Sequence, residues 1–134
     1  MLPDNASRLP HILLAEDIPA YLERITRLFD HLSLAFVHAL DGQQAIEYIE
    51  DLANPLDLLV TDLDMPRRNG WHVIESLRHH RGVHVPIIMQ TGEAAYPWVQ
   101  TQAADLGIVL IDKIHVDIRL VGAVEAALRL ENGR

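Results

Sequence analysis

The chain has 134 residues, 49% hydrophobic and 22% charged, and no cysteine. That size supports one sizeable core with little room for a second domain, and the totals exclude global disorder, disulfide frameworks and thiolate chemistry. A net charge of -8 argues against a binder of the phosphate backbone, which attracts nucleic acid with clustered Lys and Arg, so direct nucleic-acid binding is not expected, whereas carboxylates gathered around a metal ion fit it.

No uninterrupted apolar run is long enough to span a bilayer, and Met1-Leu2-Pro3-Asp4-Asn5-Ala6-Ser7-Arg8 lacks the apolar core of a signal peptide. Residues 1–10 are therefore expected to form a flexible N-terminal arm on a cytoplasmic protein, followed by one domain over 11–134. Ile12-Leu13-Leu14-Ala15 reads as a strand that ends in acid, at Glu16 and Asp17. After Ile18-Pro19, apolar residues at Leu22, Ile25, Leu28, Phe29 and Leu32 keep helical spacing. Ala35-Phe36-Val37 predicts a second strand, closed by Asp41-Gly42, and Ala45, Ile46, Ile49 and Leu52 predict a helix stopped by Asn54-Pro55.

Leu58-Leu59-Val60-Thr61 is the third strand, running into Asp62, then Asp64, Met65-Pro66 and the turn cluster to Asn69-Gly70. Val73, Ile74 and Leu77 mark the next helix, entered at Asn69-Gly70 and left at Gly82. Val85-Pro86-Ile87-Ile88-Met89 is a fourth strand ending at Gln90-Thr91-Gly92, and a helix following it starts near Pro97, which only a first turn tolerates. Ile108-Val109-Leu110-Ile111 is the last strand, ending at Asp112-Lys113. A terminal helix carries Ile118, Val121, Val124 and Leu128, with Arg119, Glu125 and Arg129 on a solvated face.

Five short apolar strands alternating with five helices form a (βα) repeat. Right-handed crossovers then give a parallel sheet with helices on both faces, a doubly wound α/β domain. Parallel strands bring their carboxyl ends to one edge, where such sheets bind ligands. That edge gathers Glu16, Asp17, Asp62, Thr91 and Lys113. Carboxylates this close repel unless a cation sits among them, and an all-oxygen set suits a hard ion such as Mg²⁺. A carboxylate beside such an ion, with Lys and Thr donors, is equipped for phosphoryl transfer.

Glu16-Asp17 after a first strand, Asp62 followed by Met65-Pro66 and Gly70, Thr91-Gly92, and Lys113 together resemble the receiver domain of bacterial two-component response regulators, over nearly the whole chain. The resemblance implies a flavodoxin-like (βα)5 fold of strand order 2-1-3-4-5, with residues 11–134 as the receiver domain. It implies Asp62 as phosphoacceptor from a sensor histidine kinase or histidine phosphotransfer protein. Mg²⁺ is then held by the side chains of Asp17 and Asp62, by the main-chain carbonyl of Asp64, and by Glu16 through water. Thr91 and Lys113 close on the phosphoryl group, and Gly92 leaves its oxygens accessible. In this reading the chain is a phosphorylation-controlled switch toward an unknown downstream protein, catalysing only its own phosphorylation and dephosphorylation. Its oligomeric state is left open, a homodimer included.

Three departures bear on the output surface. The switch position three residues before the lysine, aromatic in the family, is Leu110. Ile114 follows Lys113 where the family has proline, so no cis bond is expected there. Pro97 falls in the fourth helical segment. These leave a second reading, an interaction module that works without phosphorylation. A third, an aspartate-nucleophile phosphatase, rests on Asp62-Leu63-Asp64, but that pair ends the third strand rather than the first. Asp64 and Glu93 are expected to tune the lifetime of the acyl phosphate. His79, His80 and His84 are read as exposed helix-end residues rather than metal ligands, Trp71 and Trp98 as packing residues, and Arg67-Arg68 as a solvated loop pair.

Overall fold

Helices and strands alternate along the chain in a computed structural model described over residues 9–131, so the expected arm at 1–10 lies almost wholly outside the described residues. The order is β1 (Ile12–Ala15), α1 (Pro19–His31), β2 (Val37–Ala39), α2 (Gly42–Glu50), β3 (Leu58–Asp62), α3 (Gly70–Arg81), β4 (Ile87–Thr91), α4 (Pro97–Leu106), β5 (Val109–Asp112), a 3-10 turn over Lys113–His115, and α5 (Val116–Glu131). The strands pair in parallel as β2-β1-β3-β4-β5, the flavodoxin-like doubly wound order.

The central strands are buried on both faces, and their side chains alternate between two cores. Ile12, Leu14, Leu58, Val60, Ile88 and Ile111 meet α1 and α5 through Ile25, Phe29, Val116, Leu120 and Val124. Leu13, Leu59, Ile87 and Met89 meet α2, α3 and α4 through Ala45, Ile49, Val73, Ile74, Leu77, Val99 and Ala103. Local chemistry sets the helix ends. Pro19 and Pro97 open α1 and α4, where a missing amide hydrogen costs nothing. Asn69 caps α3 by accepting from His72 N, while His72 Nδ1 accepts from Asn69 N. Gly82 and Gly107 end α3 and α4 with φ of 80° and 66°.

Three strand boundaries and the buried stripe of α5 differ from the sequence expectation. The second strand pairs over Val37–Ala39 rather than Ala35–Val37, because Phe36 packs its ring 5.3 Å from Phe29 and the ladder to β1 begins at Leu13 and Val37. β4 starts two residues late, since Pro86 has no N–H to give the ladder, and it continues through Gln90 and Thr91, paired with β3 and β5. β5 runs one residue later than expected, over Val109–Asp112. In α5 the buried stripe is Val116, Leu120, Val124 and Ala127, while Ile118 is 80% exposed. The 3-10 turn at Lys113–His115 sets the phase of the helix, so of the expected residues Val124 is buried and Leu128 packs against the core, while Ile118 falls outside the stripe.

Candidate functional site

The α1/α5 face of the sheet ends in a polar row. Ala15 is level with Thr61 and Asp62 with Gln90, so Glu16, Asp62 and Gln90 follow Leu14, Val60 and Ile88 in the strand alternation. All three are buried, at 0%, 3% and 0% exposure. Lys113 joins them from the end of β5, itself 5% exposed. Its Nζ lies 2.9 Å from Asp62 Oδ2 and 3.2 Å from Glu16 Oε1. Asp62 Oδ1 accepts from Leu63 N at 2.7 Å, so donors fix both of its oxygens. Glu16 accepts from Ile18 N and from Gln90 Nε2, each at 3.1 Å. His38 Nε2 holds the Glu16 carbonyl at 2.8 Å.

The charges do not balance among these groups. Glu16, Asp17 and Asp62 each offer an oxygen within 4.8 Å of the others, against the one ammonium of Lys113. Burial, and after it the Asp62 charge, push the Glu16 carboxyl up to about 7. Burial also raises Asp62, against the hydrogen bond and charge of Lys113. Burial alone pulls Lys113 down, but its hydrogen bond to Asp62 and the charges of Asp62 and Glu16 outweigh that and hold the ammonium above its usual value. Asp17 Oδ1 is buried without a hydrogen-bond partner. A crowded all-oxygen trio with an orphaned carboxylate oxygen fits a hard divalent cation.

The structure thus brings Glu16, Asp17, Asp62 and Lys113 together. Thr91 is buried one residue beyond Gln90, level with Asp112, and its Oγ1 accepts from Glu93 N at 3.0 Å. Asp64 is exposed on the loop after β3, and a hydrogen bond to it raises the Glu93 carboxyl. A Cβ on Gly92 meets nothing within 4 Å, so the rim beside Thr91 is open. Leu110 is half-buried against the α2–α4 core, Ile114 is 72% exposed, and no described peptide bond is cis. Arg67 and Arg68 are exposed, with Arg67 Nη1 3.5 Å from Asp41 Oδ2. No other cluster of metal-ligating side chains forms among the described residues, and His80 Nδ1 is 2.9 Å from the Ser76 carbonyl. Trp71 and Trp98 pack at 6.4 Å between ring centres, joining the first turns of α3 and α4.

Two residues of the site escape a reading by motif. Tyr21 stands beside the apolar stripe of α1, and its ring centre lies 4.0 Å from Lys113 Nζ, a cation–π contact. Gln90 shares the two-residue period of Ile88, which is the signal that places it on the face of Asp62.

The response regulator receiver domain family matches residues 12–123, and the chain belongs to that family. Receiver domains are signalling switches rather than enzymes in the usual sense. Response regulator RR06 of Streptococcus pneumoniae is 30% identical over 96 residues, covering 72% of this chain and 42% of that protein. The regulator of RpoS of Escherichia coli is 32% identical over 78 residues, 58% of this chain and 22% of its own length. The chain thus spans less than half the length of these relatives. A CheY-like receiver domain from Methanospirillum hungatei superposes with a TM-score of 0.83 at 20% identity, covering 94% of this chain and 98% of that one, a likeness of fold. No helix among the described residues is long and apolar enough to cross a membrane.

Proposed function

We propose that residues 11–134 act as a phospho-accepting receiver in a two-component phosphorelay, with Asp62 taking a phosphoryl group from the phosphohistidine of a sensor kinase or phosphotransfer protein. The observation that carries this is the contact of Lys113 Nζ with Asp62 Oδ2 at 2.9 Å inside a trio of carboxylates at the carboxyl edge of the sheet. Asp62 is aligned at both oxygens, and the hydrogen bond and charge of Lys113 favour its ionised form against the effect of burial. Its oxygen forms a bond to phosphorus as the P–N bond breaks and the electron pair returns to the histidine ring.

Asp17 and Asp62 would hold Mg²⁺ by their side chains, Asp64 by its carbonyl and Glu16 through water. Bound there, Mg²⁺ supplies positive charge to the phosphoryl oxygens. Lys113 pairs with the new dianion, and the Thr91 hydroxyl turns from Glu93 N to donate to it. The added charge and acceptor oxygens favour the closed arrangement of Thr91 and Lys113, which shifts the population that a downstream protein recognises. The chain turns over no external metabolite and works in the cytoplasm. With Leu110 and Ile114 at positions that are aromatic and proline in the family, readout does not run through an aromatic switch.

The test is mass spectrometry after incubation with acetyl phosphate and Mg²⁺. One phosphoryl group is gained by the parent and none by Asp62→Asn. A parent that gains none under conditions where it binds Mg²⁺ assigns the chain to phosphorylation-independent interaction.

A further inference from the structure

The receiver reading gives Gln90 no task, yet Gln90 is 0% exposed and lies level with Asp62 at the end of a buried strand. The residue below it on the same face is Ile88, and the position is enclosed enough for an apolar side chain. An amide there must satisfy two donors and an acceptor or suffer their desolvation. Nε2 finds a partner, donating one N–H to Glu16 Oε1 at 3.1 Å. Oε1 does not. Among the described residues, two buried side-chain atoms lack a hydrogen-bond partner, Gln90 Oε1 and Asp17 Oδ1.

Both orphans are acceptors, and both belong to the same neighbourhood. Asp17 is one of the clustered carboxylates, and the planar amide that carries Gln90 Oε1 is anchored to another of them, Glu16. Turning the amide over does not help, because it sets Oε1 against the carboxylate of Glu16. The protein donors nearby are committed. Lys113 faces Asp62 and Glu16, Leu63 N serves Asp62, and Ile18 N serves Glu16. What is missing is a cation for Asp17 and an O–H donor for Gln90. A hydrated divalent cation brings both, since Mg²⁺ keeps several of its waters when it binds to carboxylates.

We propose that Gln90 belongs to the cation site, with Oε1 accepting a hydrogen bond from a water on the bound divalent cation while Nε2 steers Glu16 toward the same hydration shell. This rests on the receiver reading for the cation itself and adds a residue to its site. Outer-shell partners of this kind change metal affinity by about 10- to 100-fold on removal.

The experiment titrates MgCl₂ into the metal-free full chain by calorimetry and records the Mg²⁺-dependent rise in melting temperature. Gln90→Leu and Gln90→Met are compared with the parent and with Asp17→Asn. Both Gln90 variants are expected to bind Mg²⁺ about 10-fold more weakly, while melting at or above the parent temperature without metal because a buried orphan has gone. Equal affinity within twofold in a variant that folds overturns the proposal and leaves the receiver reading intact. A parent that shows no Mg²⁺ binding sensitive to Asp17→Asn defeats the cation site as a whole. Gln90→Leu made in a Glu16→Gln background separates the two arms of the amide. A further loss of at least threefold is expected, and no further loss overturns the contact through Oε1, making Gln90 a support for Glu16 alone.

Discussion

Gly70 touches Asp62 backbone to backbone: a Cβ on Gly70 would lie 2.3 Å from the Asp62 carbonyl oxygen. The chain turns back at this point, with Gly70 N donating to Leu63 O at 2.8 Å, so α3 begins against the strand end that carries Asp62. Gly70→Ala is expected to push that backbone apart at a cost of roughly 1–3 kcal/mol. It should also slow phosphorylation of Asp62 more than that loss of folded protein explains. Urea unfolding and phosphoryl uptake by the same sample check both, and an alanine variant of parental stability contradicts the contact.

Lys113 compensates two buried carboxylates. Lys113→Met leaves Glu16 and Asp62 without their cation, and removing one partner of a buried ion pair costs on the order of 3–5 kcal/mol. Part of that loss should return when MgCl₂ is added, because a bound cation replaces the missing charge. Unfolding with and without Mg²⁺ measures the return, and an equal increment in parent and variant argues against shared compensation.

Metal-free protein should lose stability as pH rises from about 4.5 to about 7, the interval between the ordinary and the folded-state value of the Glu16 carboxyl. Within it the folded state binds more protons than the unfolded chain, so unfolding becomes easier with each proton removed, by up to about 1.4 kcal/mol per pH unit. The raised value of Asp62 acts with the same sign. Glu16→Gln should flatten the dependence. A parent and a Glu16→Gln protein with identical pH profiles in chelator would contradict the burial argument.

The Asp64–Glu93 pair sets negative charge on the open side of the site. Asp64→Asn and Glu93→Ala should each accelerate loading by an anionic phosphodonor by about two- to threefold at low ionic strength, the gain fading at high salt as screening shortens the reach of the charges. Both should also alter the rate at which phosphoryl is lost. Loading and loss rates equal to those of the parent remove the pair from the reaction.

The sheet was legible because its strands are short apolar runs that each stop at a polar residue, and a strand buried on two faces permits little else. Glu16, Asp17, Asp62 and Lys113 could be placed together from sequence for the same reason, since parallel strands put their ends on one edge. The misses have local causes. Phe36 is aromatic enough for a strand but is taken by Phe29, and a 3-10 turn that no composition announces rotates α5 so that Ile118 faces outward. In the sequence Gln90 marks only the end of the fourth strand beside Thr91-Gly92, and its place opposite Asp62 shows what it touches. Tyr21 lies off the stripe of its helix, and its contact with Lys113 joins residues remote in the chain.

The chain's two tryptophans are Trp71 and Trp98, with ring centres 6.4 Å apart. Trp71 follows the glycine that abuts Asp62, whereas Trp98 follows the proline that opens α4. The molecule therefore carries an unlabelled optical gauge across two helices, and a displacement of one against the other registers in its ultraviolet emission.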